Sequence, residues 1–383
     1  MHRTLALVGL IAALAVVLNF FGMIAAGGRV ADTAGRLGFR ARVLLLGGDA
    51  GVVTLAQSAL FSATDLDTMV IDEFVKNQWL LRNLPFHDAV NPVGAGGTLT
   101  YAYNRQITQS GAGFRAINAE YTPGEATVQQ YVVNLRPLGG SFQIDRVLDG
   151  VAAGAETAFQ LQQKVKASAA AFMDAAINGD VSVDANGFDG LNKALTGSST
   201  EVNAAVATDW TSIAFGNDTA FAALDVVDTL LSYLNGPPTA ILGNKALLAK
   251  LRGIMRRTGA YTRDIYTFND GTTNFVEQYG NILLIDPGTK AGSNTDIIPV
   301  THKNADAIVS GSAAGNYTDM YVVRLGLDGF HGVSMAGRPL VNTWLPDFVH
   351  AGAVKTGEVE LGPVSVALKA TKAAAVYRNI RVS

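Results

Sequence analysis

Apolar side chains recur along this chain with two different periods, and the points where the period changes divide it into segments. From Ala63 to Leu84 the run ATDLDTMVIDEFVKNQWLLRNL places Met69, Ile71, Phe74, Val75, Trp79 and Leu80 on roughly one face of a helix. This predicts a helical arm. Between Gly94 and Arg146 the period falls to two: TLTYAYNRQIT alternates Leu99, Tyr101, Tyr103 and, past Arg105, Ile107, and TVQQYVVNLRPLGGSFQI is a second strand-rich run. The connection SGAGFRAINAEYTPGEA carries Gly, Asn and Pro, so the two runs predict a long hairpin. Its tip has too few apolar residues for a core of its own.

From Gly150 to Asn178 the helical period returns, with Val151, Ala155, Ala158, Phe159, Val165, Ala169, Phe172, Met173 and Ile177 on one stripe. Asp149 is placed to cap this helix and Gly179 to end it. At 1.5 Å per residue such a helix spans about 43 Å, the length of a spine rather than of an ordinary globular helix. Residues 180–340 then mix elements. A turn region at GFDGL is followed by a helix over TAFAALDVVDTLLSYL, a strand at TAILGN and a helix over KALLAKLRGIMRR. Short strands come next at NILLID, TDIIPVT and YVVRLGL, an alternation that predicts an α/β unit. The final runs, VSVALKAT and AAAVYRNIRV, are strands expected to rejoin a sheet begun earlier in the chain.

Composition narrows the class. With 383 residues, 49% of them hydrophobic, the chain can bury a substantial core and is long enough for two or three packed units. The formal charge of -3 is unevenly placed: residues 1–52 carry a net +3, which leaves the remaining body at -6. A net-acidic body argues against a dedicated nucleic-acid binder, whose affinity comes mainly from neutralised phosphates. The absence of cysteine excludes disulfides, thiolate metal sites and cysteine nucleophiles. Leu5 to Gly28 contains Asn19 as its only polar side chain and is long enough to cross a bilayer. Three readings are open for it: a membrane anchor, a cleaved signal peptide, or a start assigned upstream of a working N-terminus near Val53.

Candidate chemistry is sparse. No GxSxG, HExxH or GxxxxGK[ST] pattern occurs, so no catalytic residue is nominated. Gly111, Gly113 and Ala116 fit a loose dinucleotide pattern, but no helix follows, and a hairpin tip accounts for them better. Ser182, Asp184, Asn186 and Gly187 resemble half of a calcium loop whose twelfth position is Lys193, which reads as a Gly/Asn turn. His2, His87, His302, His331 and His350 lack ligand spacing, and His331 in DGFHGV is the one whose surroundings matter most. A favourable helix C-terminus suffices to explain Arg252, Arg256 and Arg257. No metal and no cofactor is expected.

An arm, a long hairpin, a spine helix, an α/β unit and closing strands, in that order, resemble the major capsid protein of tailed bacteriophages, the Hong Kong 97 fold. The words SALFSATDL, FMDAAINGD, GFDGLNKAL, AILGNKALLAKLR, YGNILLID, VVRLGLDGFHGV and GPVSVALKATKAAAVYRNIRV look like that family's landmarks, from about Thr54 to Ser383. The resemblance implies an α+β fold. It places an apolar extension at 1–52, an N-terminal arm at 53–93 and an extended loop at 94–146. A peripheral domain would comprise 147–180 with 341–383, and an axial domain 181–340. On this reading the closing strand completes a peripheral sheet begun before the spine helix.

The resemblance further implies a structural protein and not an enzyme, one that assembles with itself into pentamers and hexamers of an icosahedral shell enclosing double-stranded DNA without sequence specificity. Its partners would be a portal protein and a separate scaffolding protein, with no membrane for the working body. It would reside in the virion, and in the host cytoplasm during assembly. Arg105, Arg115, Glu120, Glu125 and Arg136 are the inter-subunit contact candidates, deciding register through charge. Some family members crosslink a lysine of the extended loop to a neighbour's asparagine, but residues 94–146 contain no lysine, so that route is not expected. The alternatives are an encapsulin, a compartment shell of the same fold around a cargo enzyme, and an anchored or secreted hydrolase that uses residues 5–28 as its signal.

Overall fold

The computed structural model describes residues 79–90, 99–151, 155–203, 208–211, 217–267, 273–303, 314–336 and 339–383. The apolar prefix, the start near Val53 and most of the expected arm lie outside these residues. The end of the arm is helix α1 (Trp79–Asn83), with Trp79 and Leu80 buried. Strand β1 (Phe86–Val90) follows, then β2 (Thr100–Gln106) and β3 (Val128–Asn134). Strand β4 (Arg136–Asp145) leads through helix α2 (Arg146–Val151) to α3 (Ala155–Asn178), the spine. Next come α4 (Leu191–Leu195), β5 (Glu201–Val202), α5 (Asn217–Ser232), β6 (Ala240–Leu242) and α6 (Lys245–Thr258). The remainder is strand-rich: β7 (Thr262–Thr267), β8 (Thr273–Tyr279), β9 (Ile282–Ile285), β10 (Thr301–Lys303), β11 (Gly315–Val323) and β12 (Phe330–Met335). It closes with β13 (Val341–Trp344), β14 (Val354–Leu368) and β15 (Ala374–Arg381).

The chain divides into two compact units. The smaller includes Phe142–Phe159 and Pro346–Thr356. In it the Arg146 amide donates to the Ala353 carbonyl at 2.9 Å, and Asp145 Oδ1 caps α2 by accepting from the Val147 amide at 2.8 Å. Asp149, expected to cap the spine, instead lies inside α2 and accepts from the Thr157 hydroxyl at 2.5 Å. Helix α3 is described from Ala155.

The larger unit holds Val70–Ser141, Gln160–Leu345 and Gly357–Ser383. Among the described residues it contains an eight-stranded sheet in the order β5-β15-β11-β6-β9-β8-β7, with β10 also on β11. Both faces of its centre are covered, so successive residues alternate between two cores. Leu242, Ile285, Tyr321, Val323 and Val376 face Phe172, Met173 and Ile177 of α3 and Leu191 and Leu195 of α4. Ile241, Leu284, Met320, Val322 and Tyr377 face Val227 and Leu230 of α5 and Leu251, Ile254 and Met255 of α6. The first core continues into a five-stranded sheet ordered β1-β12-β14-β13, with β4 also on β14, through Phe330, Leu361, Val364 and Val366. A two-stranded ribbon, β2–β3, pairs in register from Thr100↔Asn134 to Gln106↔Val128.

Several expectations change on contact with this architecture. The closing strand does not complete the sheet of β4: β14 does so, and β15 enters the eight-stranded sheet between β11 and β5. The reason is its sequence, in which Ala374, Ala375, Val376 and Tyr377 are all buried, as suits an interior strand covered on both sides. The segment TDIIPVT is not a strand before Thr301. Asn178 Nδ2 takes the Ile297 carbonyl at 2.7 Å and Asn244 Nδ2 the Ile298 carbonyl at 2.9 Å, so both side chains bury without a ladder. The β7–β8 hairpin and β13 were not anticipated, because their apolar residues are few and several of them, Ile265, Phe275, Val341 and Trp344, are exposed. Burial of the spine stripe concentrates in its C-terminal half, from Ala169 to Ile177, while Val165 stays 37% exposed.

Gly179 does close the spine, though not through a left-handed φ. Its carbonyl accepts from the Gly190 amide at 2.8 Å, and the two segments approach so closely that a Cβ on Gly190 would lie 2.5 Å from the Ala175 oxygen. Gly253, inside α6, meets nothing within 4 Å. Gly190→Ala is therefore expected to destabilise the subunit by about 1–3 kcal/mol, as overpacking does. Gly253→Ala should stabilise it by about 0.5–1 kcal/mol, the helix cost of glycine relative to alanine. Urea unfolding of the two variants beside the wild type measures both, and equal midpoints for the two would contradict the close-approach account.

Candidate assembly surfaces

The long hairpin is held at its base by aromatic and guanidinium groups. Tyr101 is buried with Leu135, Val333 and Ala367, which seats β2 on β12 and β14. The Tyr103 hydroxyl donates to the Leu368 carbonyl at 3.0 Å, and its ring stacks on Tyr131 at 5.8 Å. Arg105 lies 4.3 Å above the Tyr131 ring and spreads its fork over the end of β14. Nε donates to the Lys369 carbonyl at 2.8 Å, Nη2 to the Leu368 carbonyl at 2.6 Å and Nη1 to the Thr371 hydroxyl at 3.0 Å. These carbonyls stand at the end of β14 and in the bend that follows it. Burial raises the Tyr103 phenol above its ordinary pKa, with Arg105 opposing.

Beyond the base, residues 107–127 form no regular element and are braced across their own width. The Ile107 amide donates to the Thr127 carbonyl at 2.8 Å, the Thr108 and Thr127 hydroxyls meet at 2.6 Å, and Ser110 Oγ donates to the Gly124 carbonyl at 3.0 Å. Arg115 Nη1 donates to the Ala119 carbonyl at 3.1 Å, its guanidinium lying 5.3 Å over Tyr121. Asn118 takes φ 66°, in the left-handed region where asparagine is tolerated. The result is a shaped tip that leaves Phe114 and Ile117 almost wholly in water, at 109% and 91% exposure. Full burial of either side chain is worth about 1.5–3 kcal/mol, so the tip has a strong drive toward a surface it does not find among the described residues.

The charged candidates thus part company. Arg105 is engaged within its own chain, and Arg115 shapes the tip. Glu120 and Glu125 are exposed on it, while Arg136 opens β4 half-buried with its Nε enclosed and unpartnered. Sequence reasoning missed Phe114, Ile117 and Tyr121; the available signal was three large apolar residues in a stretch without period, rich in glycine.

Beneath the hairpin base, His331 has no exposed surface. Its ring lies 6.1 Å from Tyr101 and 6.2 Å from His87, and its Nε2 is enclosed without a partner. Burial first, then the charge of Lys369 and the neighbouring His87, lowers its pKa to about 4. Among the described residues no group of three or more His, Cys, Asp or Glu is placed to hold a metal. The half calcium loop is a turn: Asp180 accepts from the Ser182 amide and hydroxyl, and Lys193 Nζ sits 3.0 Å from its other oxygen. Gly111 and Gly113 lie on the hairpin tip. Arg252 pairs with Glu277 at 2.6 Å, and Arg256 and Arg257 end α6. No helix among the described residues is long and apolar enough to cross a membrane.

The sequence matches no family model and no curated protein. Solved structures do match. The holo-SrpI encapsulin complex from Synechococcus elongatus superposes with a TM-score of 0.52 at 16% identity, over 85% of this chain and 95% of that one. A structure from Mycobacterium phage Bobi gives 0.51 at 11% identity, over 88% and 97%. At these identities the likeness establishes the fold.

Two outcomes follow from the hairpin base. Arg105→Ala removes three hydrogen bonds and the stacking on Tyr131, so hydrogen exchange should quicken across 100–134 and stay unchanged in α6. A uniform change would mean that Arg105 does not act as a local clamp. Because the His331 pKa falls from 6.5 to about 4 on folding, the unfolded chain binds its proton first. Stability present above about pH 6.5 is therefore lost as the pH falls through about 4. The difference in thermal midpoint between wild type and His331→Gln should shrink across that window; a constant difference would refute the burial account.

Proposed function

With the Hong Kong 97-type fold as premise, we propose that this chain is the major capsid protein of a tailed bacteriophage, assembling as pentamers and hexamers into an icosahedral shell around double-stranded DNA. The observation that carries this reading is the hairpin, rigid and clamped at its base while presenting Phe114 and Ile117 to water at its tip. A monomeric protein gains nothing from that arrangement. A subunit that lays its loop on a neighbour gains the burial of both side chains, and Glu120 and Glu125 can then select the register.

In this reading 94–146 is the extended loop, 147–180 with 341–383 the peripheral domain and 181–340 the axial domain. Residues 374–381 pair with β11, which favours grouping them with the proposed axial domain. The role is structural rather than enzymatic. The partners are further copies of the chain, a portal, a separate scaffolding protein and packaged DNA bound without sequence specificity, and the site of residence is the virion after assembly in the host cytoplasm. The likeness to an encapsulin supports a second reading, a compartment shell around a cargo enzyme. Particle contents separate the two: nucleic acid favours the phage head and a single co-purifying enzyme the compartment.

Replacing residues 108–122 by a short Gly-Ser link should leave subunits folded by circular dichroism yet unable to form closed shells in negative-stain micrographs. Normal shells from that variant would sink the role given to the loop.

A further inference from the structure

Helices α5 and α6 pack side by side on one face of the eight-stranded sheet and divide their charge completely. Helix α5, NDTAFAALDVVDTLLS, contains aspartates and no basic residue; α6, KALLAKLRGIMRRT, contains lysines and arginines and no acidic one. The pairing that two neighbouring helices of opposite charge would make within one chain is not what the structure shows. Asp228 accepts from the Tyr279 hydroxyl at 2.7 Å, and Arg252 is taken by Glu277 of β8. Asp225 and Arg256 are both exposed and pair with no charged group among the described residues. The favourable C-terminal dipole accounts for one or two of the α6 cations but not for the absence of any acid along 14 residues.

Each charged face also carries apolar surface that the subunit leaves in water. On α5, Phe221 is 52% exposed, one turn from Asp225. Beside α6, the β7–β8 hairpin sets Ile265 directly opposite Phe275, 58% and 61% exposed, with the Arg263 guanidinium 5.4 Å over the Phe275 ring. One face is thus acidic with an aromatic residue, the other basic with an apolar pair.

We propose that these two faces are the two halves of one contact between copies of this chain: Phe221 and Asp225 of one subunit dock on Arg256, Arg263, Ile265 and Phe275 of the next. The occupant is a second copy because the complement to each face is present on the same molecule. Where each copy offers its acidic face to one neighbour and its basic face to another, the contact is head-to-tail, and a head-to-tail contact that closes on itself makes a ring. This inference rests on the shell reading and adds which surfaces close the capsomer and in which sense.

The test uses the full chain. Asp225→Arg and Arg256→Glu should each raise the concentration needed for ring or shell formation in sedimentation velocity by at least about tenfold, through like-charge juxtaposition. The double variant, which restores opposite charges across the same contact, should recover assembly. Both side chains are exposed, so thermal melting of the subunits should not change. The absence of native cysteine allows a second readout that does not depend on assembly yield. Under a disulfide-forming oxidant, Asp225→Cys mixed with Arg256→Cys should give crosslinked dimers that neither variant gives alone. Single reversals that assemble like the wild type, or a mixture that does not crosslink, overturn the interface while leaving the shell reading intact. A wild-type chain that stays monomeric at every concentration overturns both.

Discussion

The larger unit depends on a sheet whose centre must be dry on both faces, and in which the last strand takes an interior position between β5 and β11. Strand β15 pairs with β11 on one side and β5 on the other, and its alternate residues enter different cores. A strand so placed has no room for the polar alternation of a surface strand. Where polar residues do occur, they are tied down. Arg378 reaches Glu201 at 2.8 Å, Asp319 at 3.1 Å and the Thr196 hydroxyl at 3.1 Å, linking β15 to α4, β5 and β11. Asn379 takes φ 60° at the register shift opposite Asp319, whose carboxylate accepts from its amide at 2.9 Å. A half-buried arginine is tolerable only when its donors are met, and here they are met by groups on three elements. The same residues that close the sheet thus fix its register.

The hairpin obeys the opposite rule. It has a well-packed base and no core, and its strands carry exposed Val128 and Val132 along their length. What keeps it in one shape is a short list of directional contacts: Arg105 and Tyr103 on the carbonyls that end β14, and threonine and serine hydroxyls bridging the two sides of the tip. Pre-shaping of this kind lowers the ordering cost of any contact that the tip makes. A flexible tip with the same apolar residues would bind more weakly and would be a hazard for non-specific association.

His331 illustrates how the two regions meet. It stands on β12, in the five-stranded sheet, directly under the Tyr101 that seats the hairpin, and its burial makes the neutral imidazole the only form the site accepts readily. The DGFHGV word, in which Gly332 leaves room for the Phe86 ring at 2.5 Å from where a Cβ would sit, is therefore a packing device at the junction of hairpin and sheet.

The periodic segments were legible from sequence because their burial follows a helix or strand repeat: α6, the paired strands β2 and β3, the buried runs of β6 and β9. The order of these elements, with the glycine-bearing words between them, was enough to reach the fold. What sequence could not decide was any choice settled by a distant partner. Whether β15 joined β4 or β11, whether Ile297 and Ile298 were paired or capped by asparagine side chains, and whether Arg105 faced a neighbour or its own β14 all depend on groups tens to hundreds of residues away. Local period reports which faces must be buried; only the assembled tertiary structure says against what, because burial is a demand that many surfaces can satisfy and hydrogen-bond geometry is a demand that few can.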